Sequence, residues 1–285
     1  MEIELVHTTT SDDIVLSGAY FEAKQLVQNP KVDAIIFFHG DGGNFYGNLL
    51  LELGELFSSA GVSFLAANRR GHDVIARGAP NGALKGYAFE SVSESPIDYE
   101  AWLNFVRAKN HRRIILAGHS GGAVRATYAQ ATVHFPDVVG VVSVSPGEYN
   151  HKEVVETHGE QFVMTYREAE RAIQRGKPAE LFQPRIPWGS MWSAEAFVDC
   201  FNPDNRYSVS AHAMNTEVPT LYVFGGNEVE IGGPEELPVC GLAMRTIRSL
   251  AYPHVDVRVV SGANHGYVNC GTHLMQQIKD FIDNL

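Results

Sequence analysis

Ile114-Ile-Leu-Ala-Gly-His-Ser-Gly-Gly-Ala123 runs from four apolar residues into a glycine-flanked serine. It then continues into Ala123–Thr132, which has helical spacing. Strand, tight turn and helix in that order form the frame that a G-x-S-x-G elbow requires. The turn forces the serine into a strained backbone conformation, so its neighbours must be small. Gly118 and Gly122 meet that need, and Gly121 adds a third small residue. Ser120 then projects over the end of a sheet, with the positive end of a helix dipole behind it.

Outward from this stretch, short and fully apolar runs recur: Ala34–Phe38, Val62–Ala67, Val138–Val144 and Leu221–Phe224. Between them lie segments with helical spacing, Leu49–Ser59, Ile97–Arg107 and Leu274–Ile282. Buried strands alternating with helices predict an α/β fold, a mainly parallel sheet covered on both faces. Val255–Val260 alternates in polarity, which suits an edge strand. Ile3–Val6 and Ile14–Tyr20 read as two N-terminal strands joined by the polar turn TTTSDD. Pro96 stands where a helix can begin without losing a needed N–H.

Residues 149–213 break the rhythm. They hold a charged helical piece, Thr165–Arg175, and the aromatic, proline-rich stretch Phe182-Gln-Pro-Arg-Ile-Pro-Trp-Gly-Ser-Met-Trp192. A segment this long without sheet strands predicts a cap or lid over the C-terminal edge of the sheet. The expected organisation is therefore a core of residues 1–148 and 214–285 with a cap of residues 149–213. Trp188 and Trp192 are expected to line a substrate pocket, the alternative being that they pack on the core.

A serine needs a base to accept its proton. His265, in Gly262-Ala-Asn-His-Gly266 just after the last strand run, is the candidate by position. A carboxylate should orient the imidazole and stabilise its charged form. Glu228 follows Leu221–Phe224 and is the preferred acid. Glu230 in the same loop and Glu148 after Val138–Val144 are its rivals.

These residues resemble the α/β-hydrolase superfamily, and the resemblance covers nearly the whole chain. The order Ser120, Glu228, His265 matches the nucleophile–acid–base order of that superfamily. His39-Gly-Asp-Gly-Gly43 is similar to its HG motif after the third strand. The resemblance implies an oxyanion hole built from the backbone N–H of Gly121 and that of Asp41 or Gly42, with Gly42 otherwise near the substrate pocket. Arg70-Gly-His-Asp73 is similar to an RGxG segment, with Asp73 where the second glycine usually stands. The acid is Glu where Asp is commoner.

The implied chemistry is acyl transfer: a serine hydrolase that cleaves a carboxylic ester, lactone or thioester of a small to medium organic substrate through an acyl-enzyme. Serine at the elbow, rather than aspartate, argues against dehalogenase and epoxide hydrolase chemistry. An acyltransferase using the same three residues, and a non-catalytic ligand receptor on the same fold, are the alternatives.

Composition narrows the rest. The chain has 285 residues, 45% hydrophobic and 19% charged, ordinary globular proportions. With 22 Lys and Arg against 33 Asp and Glu, the net charge is −11, which would repel nucleic acid. The apolar runs are too short to span a bilayer. The acidic start MEIELVHTTTSDD does not read as a signal peptide, so a cytoplasmic setting is expected. Cys200, Cys240 and Cys270 are widely spaced and match neither a disulfide framework nor a CxxC site. Twelve histidines show no metal-site spacing, and Gly40-Asp-Gly-Gly-Asn44 lacks both GxxxxGK and GxGxxG. No metal and no cofactor are therefore expected. Arg69 and Arg70 read as a solvated pair at a strand end, the alternative being contact with an acidic substrate. A homo-oligomer stays open.

Overall fold

The structure, a computed structural model, describes residues 3–25, 27–184, 186 and 189–285. Its elements run β1 (Glu4–Thr9), β2 (Val15–Phe21), β3 (Ala34–Phe38), α1 (Asn48–Ser59), β4 (Ser63–Ala67), α2 (Ser95–Ala108), β5 (Ile114–His119), α3 (Gly121–Val133) and β6 (Val138–Val144). Then follow α4 (His151–Gln174), β7 (Leu181–Phe182), β8 (Trp192–Ser193), α5 (Ala194–Cys200), α6 (Val209–Ala213), β9 (Thr220–Gly225), α7 (Gly226–Val229), α8 (Pro238–Leu250), β10 (Val255–Val260) and α9 (Gly271–Ile282).

One eight-stranded sheet has the order β1-β2-β4-β3-β5-β6-β9-β10. The β1–β2 and β2–β4 pairs are antiparallel, and every pair from β4 to β10 is parallel. Successive residues of the central strands point to opposite faces, and both faces are buried. Ile35, Phe37, Ile115 and Ala117 pack toward α1 and α9, with Leu53, Phe57, Leu274 and Ile278. Ile36, Phe38, Ile114 and Leu116 pack toward α2 and α3, with Tyr99, Trp102, Leu103 and Ala126. Burial on both faces is the reason these strands read as continuous apolar runs. The expected doubly wound sheet is the one observed, and alternating Val255–Val260 is indeed an edge strand.

Between β6 and β9 the chain adds no strand to this sheet among the described residues. Its two-residue strands β7 and β8 pair only with each other. The helix expected over Thr165–Arg175 begins earlier, at His151, and bends at Gly159, whose φ is 61°. The aromatic residues of this segment make a core of their own: Phe162, Tyr166, Trp192, Phe197 and Phe201 pack with Tyr87, Val92 and Val124. Among the described residues, no helix is long and apolar enough to cross a membrane.

Candidate active site

The parallel strands all point their C-terminal ends to one edge, where α/β sheets place their ligands. Four loops leave that edge with the candidate residues: His39–Asp41 after β3, Ser120 after β5, Glu228 after β9 and His265 after β10.

At the β5–α3 turn Ser120 has φ 55° and ψ −123°, a conformation L-residues seldom adopt. The glycines around it make this possible. A Cβ on Gly118 would lie 2.3 Å from the carbonyl oxygen of Gly122, and one on Gly122 would lie 2.4 Å from that of His39. The Ser120 N–H is held by the carbonyl of Val144 at 2.8 Å, which ties the turn to the neighbouring strand.

His265 bridges the serine to a carboxylate. Its Nε2 lies 3.0 Å from Ser120 Oγ, and its Nδ1 lies 2.6 Å from Glu228 Oε2. Glu228 is fully buried. Its Oε1 accepts from Ser145 Oγ at 2.5 Å and from the Gly225 N–H at 2.6 Å. Burial pushes its pKa up, but His265, Ser145 and Gly225 together hold it below the ordinary glutamate value. Glu228 is thus an anion matched to an imidazole. Its rivals lie elsewhere: Glu230 is exposed, and Glu148 accepts from the Ser210 N–H at 3.2 Å.

A second histidine braces the first. His119 Nε2 lies 2.7 Å from the carbonyl of His265, and the two rings are 4.7 Å apart. Burial, with the neighbouring His265, lowers the His119 pKa to about 4, so at neutral pH it is an uncharged donor to that carbonyl.

A cavity of about 460 Å³ opens at Ser120. It is lined by His39, Asp41, Asn44, Asn48, Leu49 and His119 together with Ser120 and His265. Among the described residues, neither Gly42 nor Trp192 lines it, contrary to expectation. Gly42 turns away at φ 68°, toward Val74. Trp192 is 1% exposed, its ring 4.5 Å from that of Tyr87 and 5.6 Å from that of Phe197. A ring enclosed in this way packs the segment's own core and cannot also face a substrate. Trp188 lies outside the described residues.

The Asp41 side chain lies against Gly121 at the turn. Gly121 heads α3, so its N–H has no preceding helical carbonyl to serve. Asp41 lies on the β3 loop, and a Cβ on Gly121 would lie 1.9 Å from its Oδ1.

The arginines correct another expectation. Arg69 and Arg70 are buried, 0% and 1% exposed, not solvated. Arg70 pairs with Asp98, Asp12 and Glu94, and Arg69 pairs with Asp41 and Glu90. Their carboxylate partners come from loops and helices distant in sequence, which composition alone does not reveal. Arg125, on α3, joins the same cluster through Glu90 and Asp41. Its signal in the sequence was a lone cation inside an otherwise Ala- and Gly-rich helix. Ser145, which holds Glu228, had no such signal. Asp73 has a left-handed φ of 52°, a conformation that glycine adopts at no steric cost.

Glu228, Cys240 and His265 bring potential metal-ligand atoms within 4.8 Å of one another. The donor set fits an ion poorly. Glu228 and His265 are already joined by a hydrogen bond, and burial, with Glu228 nearby, pushes the Cys240 thiol well above its usual range, away from the thiolate a metal needs.

The sequence model of the Alpha/beta hydrolase family matches residues 35–273, and the chain belongs to that family. Among solved structures it is similar to Est1E from Butyrivibrio proteoclasticus, at 15% identity and a TM-score of 0.62 over 98% of each chain. It is also similar to the alpha/beta hydrolase GrgF from Penicillium sp. sh18, at 14% identity and a TM-score of 0.70 over 100% of this chain and 99% of the other. A third likeness is to the Pyrococcus furiosus esterase Pf2001, at 16% identity and a TM-score of 0.60 over 99% and 91%. At such identities these likenesses carry the fold. No curated protein matches the sequence. Family membership supports a hydrolase in general.

Proposed function

We propose that the protein is a serine hydrolase that cleaves a carboxylic ester of a small to medium organic substrate through an acyl-enzyme. The observation that carries this reading is the unbroken chain from Ser120 Oγ to His265 Nε2, 3.0 Å, and from His265 Nδ1 to Glu228 Oε2, 2.6 Å. It hangs from a serine held at φ 55° at the mouth of a cavity.

In this mechanism Ser120 Oγ attacks the ester carbonyl carbon while its proton passes to His265 Nε2. Glu228 fixes the tautomer and balances the imidazolium. The carbonyl oxygen becomes an oxyanion, taken up by the N–H groups of Gly121 and Asp41, each donor contributing about 3–4 kcal/mol in comparable sites. The C–O bond to the alcohol breaks, and the alcohol leaves with the proton from His265. Water then gives a proton to His265 and attacks the acyl carbon. The second tetrahedral intermediate collapses as Ser120 Oγ leaves with the proton from His265, giving the carboxylic acid and free Ser120.

Residues 149–213 serve as the cap in this reading. Tyr149 reaches the site from this segment: its hydroxyl donates to Asp41 Oδ2 at 3.2 Å. Substrate size is then set by the wall of Asn44, Asn48 and Leu49 beside Ser120, not by Trp192.

The test is labelling with a fluorophosphonate, followed by a panel of esters of graded size. Covalent modification of Ser120, abolished in Ser120→Ala, is expected. An unlabelled wild-type protein with no ester turnover would refute the hydrolase reading and favour a ligand receptor.

A further inference from the structure

Beneath the site lies a buried set of four charges that the proposed mechanism leaves without a role. Arg69, Arg125 and Glu90 are 0%, 1% and 1% exposed, and Asp41 is 9% exposed at the cavity wall. Arg125 Nη1 donates to the Gly121 carbonyl at 2.9 Å and to Asp41 Oδ1 at 3.2 Å, while its Nη2 pairs with Glu90 at 2.8 Å. Arg69 Nη2 donates to the same Asp41 oxygen at 2.9 Å, and its Nη1 pairs with Glu90. Two cations and two anions sum to zero. Buried ion clusters contribute little stability relative to an apolar core of the same shape, because desolvation offsets their attraction. The use of this cluster lies in what it touches.

It touches both halves of the candidate oxyanion hole. Arg125 bonds the carbonyl of Gly121, one proposed donor, and the side chain of Asp41, the other. The Asp41 carboxylate lies where a Gly121 side chain would be. An uncompensated carboxylate there would oppose the negative charge that develops on the substrate oxygen, strongly so in a site shielded from water.

We propose that Arg125, assisted by Arg69, is a positioning residue for the oxyanion hole: it straps the Asp41 loop to the head of α3 and neutralises the Asp41 carboxylate beside the developing oxyanion. The inference rests on the serine hydrolase reading above.

A double-mutant cycle separates the charge from mere packing. The probe is a trifluoromethyl ketone. Ser120 Oγ adds to its carbonyl carbon, the serine proton passes to His265 Nε2, and the ketone oxygen becomes an oxyanion. The matching secondary alcohol, which forms no oxyanion, is the reference ligand. Arg125→Met leaves Asp41 undercompensated and should weaken the ketone roughly 30-fold, less than the roughly 10²–10³-fold lost when an oxyanion donor itself is removed. The alcohol should change far less. Adding Asp41→Asn restores neutrality, and the double variant should bind the ketone more tightly than Arg125→Met alone. Arg125→Lys, which keeps the charge, should lose less than Arg125→Met and tests the same claim if the methionine variant does not fold.

A double variant no better than Arg125→Met would overturn the inference. So would equal losses for ketone and alcohol, or an Arg125→Lys variant that loses as much ketone affinity as Arg125→Met. Wild-type protein that neither forms the ketone adduct nor reacts with a fluorophosphonate would instead refute the hydrolase reading on which the inference rests.

Discussion

Ser120 holds φ 55° because three glycines and a hydrogen bond from its N–H to Val144 leave the turn no other course. Strain concentrated at one polar side chain marks a functional position, and its neighbours define what that function needs. His265 has a single carboxylate on its Nδ1, so the choice of acid is directly testable. Glu228→Gln preserves shape but offers an amide in place of the anion. We expect kcat to fall about 10³–10⁴-fold, as when the orienting carboxylate of comparable sites is amidated. Glu230→Gln and Glu148→Gln should leave kcat within a small factor, because neither residue bonds His265 among the described contacts. Steady-state kinetics on the three variants decides it, and a largest loss at Glu148 would move the acid to β6. At this scale the sequence was informative wherever spacing and chain order carry meaning: Ser120 and Glu228 each follow a buried strand, and His265 follows the edge strand. It was silent on Ser145, because a serine after a strand has no pattern that distinguishes a buried hydrogen-bond donor from a loop residue.

Elements were legible in proportion to how far local pattern decides them. β3, β5, β6 and β9 are buried on both faces, so their apolar runs stand out against any neighbour. α4 is less legible: its first part is polar, it bends at Gly159, and its buried face is sparse, Val154, Phe162, Tyr166, Ala169 and Ala172. Trp192 shows the limit of composition. Two tryptophans in a proline-rich stretch suggest a binding wall, yet the ring of Trp192 meets Tyr87, Phe197 and Phe201 at 4.5, 5.6 and 5.8 Å. Tyr87 belongs to the loop before α2, so this contact docks the 149–213 segment onto the body. Trp192→Ala should therefore cost about 3–5 kcal/mol, the usual range for deleting a buried large aromatic. Urea denaturation measures that loss. At a temperature where the variant is folded, the order of preference among esters of graded size should match the wild type. A changed order with unaltered stability would return Trp192 to the substrate pocket.

Across the whole molecule, buried carboxylates link stability to pH, and they do so with opposite signs. Glu90 and Glu228 have cationic or donor partners that hold them below the ordinary range, so their contribution is present at neutral pH and is lost in acid. Glu148 is the reverse case. It is fully buried and accepts from the Ser210 N–H, while its own N–H donates to Val239 at 3.0 Å, so it joins the end of β6 to α6 and α8. Burial raises its pKa from 4.5 to about 6. Between these values the folded protein binds more protons at this site than the unfolded chain, so stability falls as pH rises through that window. Above pH 6 the full cost of ionising it in place applies, about 2 kcal/mol from the size of the shift. Glu148→Gln cannot ionise and escapes that cost. The variant should nearly match the wild type at pH 4, where Glu148 is mostly protonated in both states, and gain up to about 2 kcal/mol relative to it by pH 8. Paired urea denaturation curves at several pH values isolate the effect, because every other titrating group cancels in the difference between the two proteins. A difference that stays constant from pH 4 to pH 8 would mean that Glu148 ionises as readily in the folded protein as in the unfolded chain, and the buried-acid assignment at the end of β6 would fall.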